Sequence, residues 1–157
     1  MPYVSQLIGK PVSDPEGNPV GTLKDILAAR REPIQHPRIV SIQVKTPRGD
    51  VFLPIEWVTV LFGPAVVLAR ALEDLAPITP KSEDLYLVRD VLDKQIIDTD
   101  GLRLVRVNDL QLTRAEGNIY VANVDVSGAG LLRRMGLSSL SKGMIRFRRA
   151  SAPVGVI

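Results

Sequence analysis

The chain has 157 residues, 45% hydrophobic and 24% charged, enough for one ordinary domain or two small ones of about 80 residues each. It contains no cysteine and a single histidine, His36, which excludes disulfides, thiol nucleophiles, Cys-based zinc sites, iron–sulfur clusters and multi-His metal centres. The net charge of +3 is unevenly distributed, because all 17 acidic residues lie at or before Asp125 while the segment beyond it carries six basic residues and no acid.

The N-terminus, Met1-Pro2-Tyr3-Val4-Ser5-Gln6, lacks a basic region followed by an apolar one, so no secretory signal is expected. Strands are predicted over Pro11 to Ser13 and Pro19 to Leu27, joined by the tight turn Asp14-Pro15-Glu16-Gly17-Asn18, where proline presets φ and glycine accepts a positive one. His36 falls in the proline-bounded loop Pro33-Ile34-Gln35-His36-Pro37 and reads as a solvated loop histidine. Val40, Ile42 and Val44 alternate with Ser41, Gln43 and Lys45, and Val51, Leu53 and Ile55 follow Pro47-Arg48-Gly49-Asp50, the pattern of a β-hairpin. The longest uncharged run, Trp57 to Ala69, is broken by Gly63-Pro64 and is shorter than the roughly 20 apolar residues of a spanning helix. Seven aromatic residues along the chain are too few and too scattered for single-strand nucleic-acid stacking platforms.

Displacing the chain by 84 residues reveals an internal repeat. Gly9-Lys10-Pro11-Val12-Ser13-Asp14-Pro15-Glu16-Gly17 falls on Asp93-Lys94-Gln95-Ile96-Ile97-Asp98-Thr99-Asp100-Gly101, and Val20, Leu23, Asp25 and Ile26 fall on Leu104, Val107, Asp109 and Leu110. Ile39 to Lys45 matches Ile119 to Ser127 after a displacement of about 82. Two copies of one small β module are therefore expected, over residues 1–76 and 84–157, with residues 77–83 and their prolines Pro77 and Pro80 as the linker. The second copy departs near its end. Gly128 to Leu137 suggests a short helical turn closed by Gly136, no counterpart of Phe52 to Val58 follows, and residues 138–157 form a divergent basic tail.

Leu7-Ile8-Gly9-Lys10-Pro11-Val12 through Lys24-Asp25-Ile26-Leu27, with Leu53-Pro54-Ile55-Glu56-Trp57-Val58, resembles the PRC-barrel domain. The second copy, through Arg89-Asp90-Val91-Leu92-Asp93-Lys94, Arg106-Val107-Asn108-Asp109-Leu110 and Gly130-Leu131-Leu132-Arg133-Arg134-Met135-Gly136-Leu137, is similar to the tandem PRC-barrel region of proteins related to MgtE magnesium transporters. The resemblance covers the chain to about Leu137. It implies a mainly β fold of two tandem small PRC-type β-barrels with short helical turns. It supplies no catalytic motif.

Candidate sites are few. Asp98-Thr99-Asp100-Gly101 reads as a turn with solvated carboxylates, since its glycine is misplaced for a calcium loop and no bidentate Glu follows. Asp25 and Asp109 recur at the same place in both copies and read as side-chain caps on a bulge or turn. No residue set is assigned to catalysis, a cofactor or a metal. The interaction candidates are Trp57, as core or interface, and the basic residues Arg133, Arg134, Arg146, Arg148 and Arg149. For the tail, fold closure or a solvated end ranks above attraction to an anionic membrane surface, and that above phosphate contacts with RNA.

The resulting expectation is a cytoplasmic interaction or regulatory module, not an enzyme, accessory to an MgtE-like magnesium transport or CBS-domain assembly and bound through a protein partner. Association of the module with the inner face of the membrane through its tail, and a homodimer formed by strand or edge pairing, are part of that expectation. A ribosome- or RNA-associated factor resembling RimM is the alternative.

Overall fold

Asp14 organises the first turn as its sequence anticipates: its carboxylate accepts the backbone N–H groups of Glu16 and Asn18, both at 2.9 Å, and the Asn18 amide at 3.0 Å, while Gly17 takes a φ of 88°. In the computed structural model, which describes residues 1–29, 36–98 and 103–127, this turn joins β1 (Pro11–Ser13) to β2 (Pro19–Ala28). A second hairpin pairs β3 (Ile39–Thr46) with β4 (Gly49–Pro54), running Thr46 opposite Gly49 through to Ser41 opposite Pro54. Gly49 has a φ of 117°, a value a side chain would strain. A 3₁₀ turn, Ile55–Trp57, then leads to β5 (Val58–Val60), which pairs with β6 (Val66–Leu68).

The strand order of the first sheet is β4-β3-β2-β1-β6-β5, with β6 parallel to β1 and β7 (Leu85–Tyr86) added to the end of β2. The edge strands β4 and β5 are consecutive in the chain and separated only by the Ile55–Trp57 turn, but no ladder joins them. Pro54 ends β4 at this corner without an N–H to donate. The second sheet has the order β10-β9-β8, formed by β8 (Gln95–Asp98), β9 (Arg103–Ala115) and β10 (Asn118–Ser127). The protein is thus mainly β with two sheets, and among the described residues neither sheet closes on itself.

The 84-residue repeat recurs at the level of individual hydrogen bonds. Gly9 N–H donates to Leu23 O at 2.8 Å, and Asp93 N–H to Val107 O at 2.7 Å; Leu23 N–H donates to Lys10 O at 2.9 Å, and Val107 N–H to Lys94 O at 3.1 Å. Gly9 and Asp93 both have positive φ, 91° and 61°. The strand pairs also share their irregularities. Opposite β3, β2 skips Lys24 between the Leu23–Val44 and Asp25–Gln43 pairs; opposite β10, β9 skips Asn108 between Val107–Val126 and Asp109–Asp125. Val40 and Ala122 are the second extra residues, at matching places. Bulges re-aim side chains and increase twist, so both copies bend their long strands at the same two points.

One hydrophobic core runs through both copies. Val4 and Leu7, three apart on the short helix α1 (Val4–Leu7), are buried with Leu23, Ile26, Ile42, Val44 and Leu53 of the first sheet and Val107, Leu110, Leu112, Val121 and Val124 of the second. Alternation breaks at the end of β2, where Ile26, Leu27 and Ala28 are all buried. β7 pairs along the edge of this stretch, with Leu27 opposite Tyr86 and Ala28 opposite Leu85, and Leu85, Leu87 and Val91 join the same buried core.

Candidate functional site

Each copy sends its leading segment onto the other. In the first copy, Leu112 N–H donates to Pro2 O at 2.9 Å, Tyr3 bridges Gln111, and the Gln111 amide donates to Met1 O at 3.0 Å. In the second, β7 extends β2. The recurring aspartates fasten these exchanged segments. Asp25 accepts the N–H of its neighbour Ile26 at 2.7 Å and, from the other copy, those of Val88 at 2.8 Å and Arg89 at 3.0 Å. Asp109 accepts the N–H of its neighbour Leu110 at 2.9 Å and, from the other copy, the N–H of Ser5 at 3.1 Å and its hydroxyl. The cap expected at both positions is present. Its partner is in the opposite copy, which makes the junction reciprocal, as in an isologous interface.

The two clasps differ electrostatically. Burial pushes the Asp25 carboxyl above its ordinary value against the pull of three backbone donors, and Asp90 adds to the rise. Asp90 lies in the single π-type turn Leu87–Val91, where its carboxylate accepts Tyr86 N–H at 3.0 Å. It also pairs with the Arg89 guanidinium at 2.9 Å, a hydrogen bond that raises the arginine's pKa. That guanidinium lies 3.7 Å from the Tyr86 ring centroid, and Tyr86 meets Phe52 edge-on at 6.0 Å. In the first copy Gln6 takes the place of Asp90, its side-chain oxygen accepting Tyr3 N–H at 2.8 Å.

Trp57 is half-buried at the corner between β4 and β5 and packs against the core; its carbonyl accepts Ala69 N–H at 2.8 Å. It borders an open crevice of about 350 Å³ with Ala69, Arg70, Asp74 and Leu75. Arg133, Arg134, Arg146, Arg148 and Arg149, the 128–137 turn and the tail lie outside the described residues, as do Thr99 to Gly101. His36 departs from the solvated reading: it is partly buried, and its Nδ1 is enclosed with no hydrogen-bond partner among the described residues. The loop's prolines signal a turn but not its packing, for Pro37 O accepts Val121 N–H at 2.9 Å and draws the loop's end against the second copy. Arg38 bridges Tyr120 beside it, and these two residues correspond under the 82-residue displacement, so the copies meet there at equivalent positions.

Sequence reasoning also missed the short helix α1, the Leu87–Val91 turn and the buried Ser41. The first two carry a signal in retrospect, since Val4 and Leu7 match Val88 and Val91 at the repeat distance. Among the described residues no three His, Asp or Glu side chains converge as a metal site, and no helix is long and apolar enough to cross a membrane. In comparisons with known proteins, no family model matches the chain and no curated protein shows significant similarity to it.

Proposed function

We propose that the chain is a non-catalytic docking or regulatory module of two PRC-barrel-type copies, acting at the cytosolic face of a membrane as an accessory to an MgtE-like magnesium transport or CBS-domain assembly. The observation that carries the docking part is the reciprocal clasp, in which Asp25 and Asp109 each hold the other copy's leading segment. Two equivalent elements held at a fixed separation suit the presentation of one rigid surface to a partner, and preorganisation reduces the entropy lost on binding. The transport-related part rests on the sequence resemblance of the second copy. Trp57 and Arg70, residue types enriched among binding hot spots, border one crevice and are the docking residues in this reading.

The test is affinity co-purification of the full chain from cytosol and solubilised membranes at two salt concentrations, beside Trp57→Ala and a variant with Arg146, Arg148 and Arg149 changed to Gln. Recovery of a membrane transport or CBS-domain protein that survives high salt and the tail changes, but is lost with Trp57→Ala, is the expected result. Recovery of ribosomal particles alone, lost with salt or with the tail arginines, replaces this reading with RNA association.

A further inference from the structure

The second sheet lacks the strand that covers the matching edge of the first. β3 lies between β2 and β4, whereas its counterpart β10 is joined to β9 alone among the described strands. The ladders fix the equivalence residue by residue: Ile26 opposite Ile42 matches Leu110 opposite Val124, Asp25 opposite Gln43 matches Asp109 opposite Asp125, and Leu23 opposite Val44 matches Val107 opposite Val126. In the first copy the free side of β3 is taken by β4, with Leu53 opposite Ile42, Phe52 opposite Gln43 and Val51 opposite Val44. In the second, that side begins at the junction between the copies, where Val121 N–H donates to Pro37 O, and continues along Val124, Asp125 and Val126 with no further strand among the described residues. An open edge is a template for another strand.

Two features define what fits there. Val124 and Val126 are buried, so an added strand needs apolar residues at alternate positions, as Leu53 and Val51 supply in the first copy. Between them, Asp125 faces Asp109 directly across the ladder, and neither forms an ion pair among the described residues. Like charges opposite each other destabilise a sheet, which favours a cation on the open side of Asp125. The first copy has the reverse polarity, for there β4 brings an acid, Asp50, to Lys24 and Gln43. The required sequence, one basic residue between two apolar ones, occurs once beyond Ser127, at Ile145-Arg146-Phe147.

We propose that residues 144–148 of the same chain supply the strand missing beside β10, running antiparallel to it with Ile145 opposite Val126, Arg146 opposite Asp125 and Phe147 opposite Val124. This is the register of β4 on β3 carried across the repeat. Residues 128–143 make the return in place of Pro47-Arg48, and the entropy of closing a loop rises only slowly with its length. The inference is independent of the docking role above. It assigns Arg146 to the sheet through charge complementarity with Asp125, and so removes it from the residues available to a membrane surface or RNA.

The test is nuclear Overhauser spectroscopy of the full chain, recorded on labelled protein and on an equal mixture of labelled and unlabelled protein, which separates contacts within a chain from contacts between chains. Cross-strand contacts of Val124 with Phe147, Asp125 with Arg146 and Val126 with Ile145 are expected, all within one chain. The same contacts between chains would overturn the proposal in favour of a second copy covering β10, and their absence, or a different register, would overturn it outright. A charge exchange checks the pairing independently. Arg146→Glu should speed amide exchange over residues 124–126 by about fivefold or more, and Asp125→Lys in the same chain should restore the protection. An unchanged rate in Arg146→Glu, or no recovery in the double variant, would each count against the assigned register and overturn the pairing.

Discussion

Replacing Asp25 with alanine probes the reciprocal junction most directly. The change strips the acceptor from three backbone donors at once: Ile26, and from the other copy Val88 and Arg89. An orphaned donor costs about 1 to 3 kcal/mol where water is excluded. The Val88 and Arg89 bonds are only partly buried, so values near the lower end apply, and removal of a buried charge offsets part of the sum. A net loss of about 2 kcal/mol is expected, which lowers the urea midpoint by about 1 M if m is near 2 kcal/mol/M. Asp109→Ala removes the same acceptor from Ser5 and Leu110, but the Ser5 bonds are exposed and water replaces them, so about 1 kcal/mol or less is expected. Urea unfolding of both variants gives the ratio, and amide exchange at Val88 and Arg89 locates the effect. Equal losses for the two variants, or unchanged protection at Val88 and Arg89 in Asp25→Ala, would refute the reasoning.

Other substitutions test separate parts of the account. A Cβ at Gly21 would lie 2.0 Å from the Lys45 carbonyl oxygen on the neighbouring strand, so Gly21→Ala should destabilise by about 2 kcal/mol or more, against near-neutral behaviour if the strands simply slide apart; thermal unfolding distinguishes the two. Because burial holds the folded Asp25 pKa above the ordinary 3.8, the stability its protonation contributes is full below that value and is lost as the pH rises through the folded pKa. Relative to Asp25→Asn, the parent should therefore lose stability from about pH 4 upward and then level off; a difference that moves in the opposite direction contradicts the assigned cause. Arg89→Ala should cost less than about 1 kcal/mol in chemical denaturation, because the arginine side chain of this pair is 54% exposed, and a larger loss would mean that its stacking on Tyr86 is essential to the junction.

Much of the local structure was legible in the sequence because it depends on short-range chemistry. Asp14 to Asn18 specifies its own turn, Val40, Ile42 and Val44 announce a strand, and the 84-residue displacement anticipates equivalent strand pairs. The candidate site was legible only in part. Asp25 and Asp109 stood out as recurring caps, but the donors they serve lie 63, 64 and 104 residues away, a separation that no local pattern encodes. His36 and Ser41 were misjudged or missed for a related reason, since neither the enclosure of the His36 Nδ1 nor the burial of Ser41, on the polar side of its strand's alternation, follows from a local pattern.

The sequence by itself determined the mainly β character, the turns and the duplication, through alternation, proline and glycine placement, and the repeated aspartates. Only the tertiary structure decided that the copies share one core and exchange their leading segments, because burying Val4, Leu7, Leu87 and Val91 requires surfaces that neither segment carries itself. Among the described residues, it also left the edge strands β4 and β5 unpaired with each other at the Ile55–Trp57 corner. Alternation sets which face of a strand is apolar, but pairing of its edges depends on where backbone N–H and C=O groups come to lie in space.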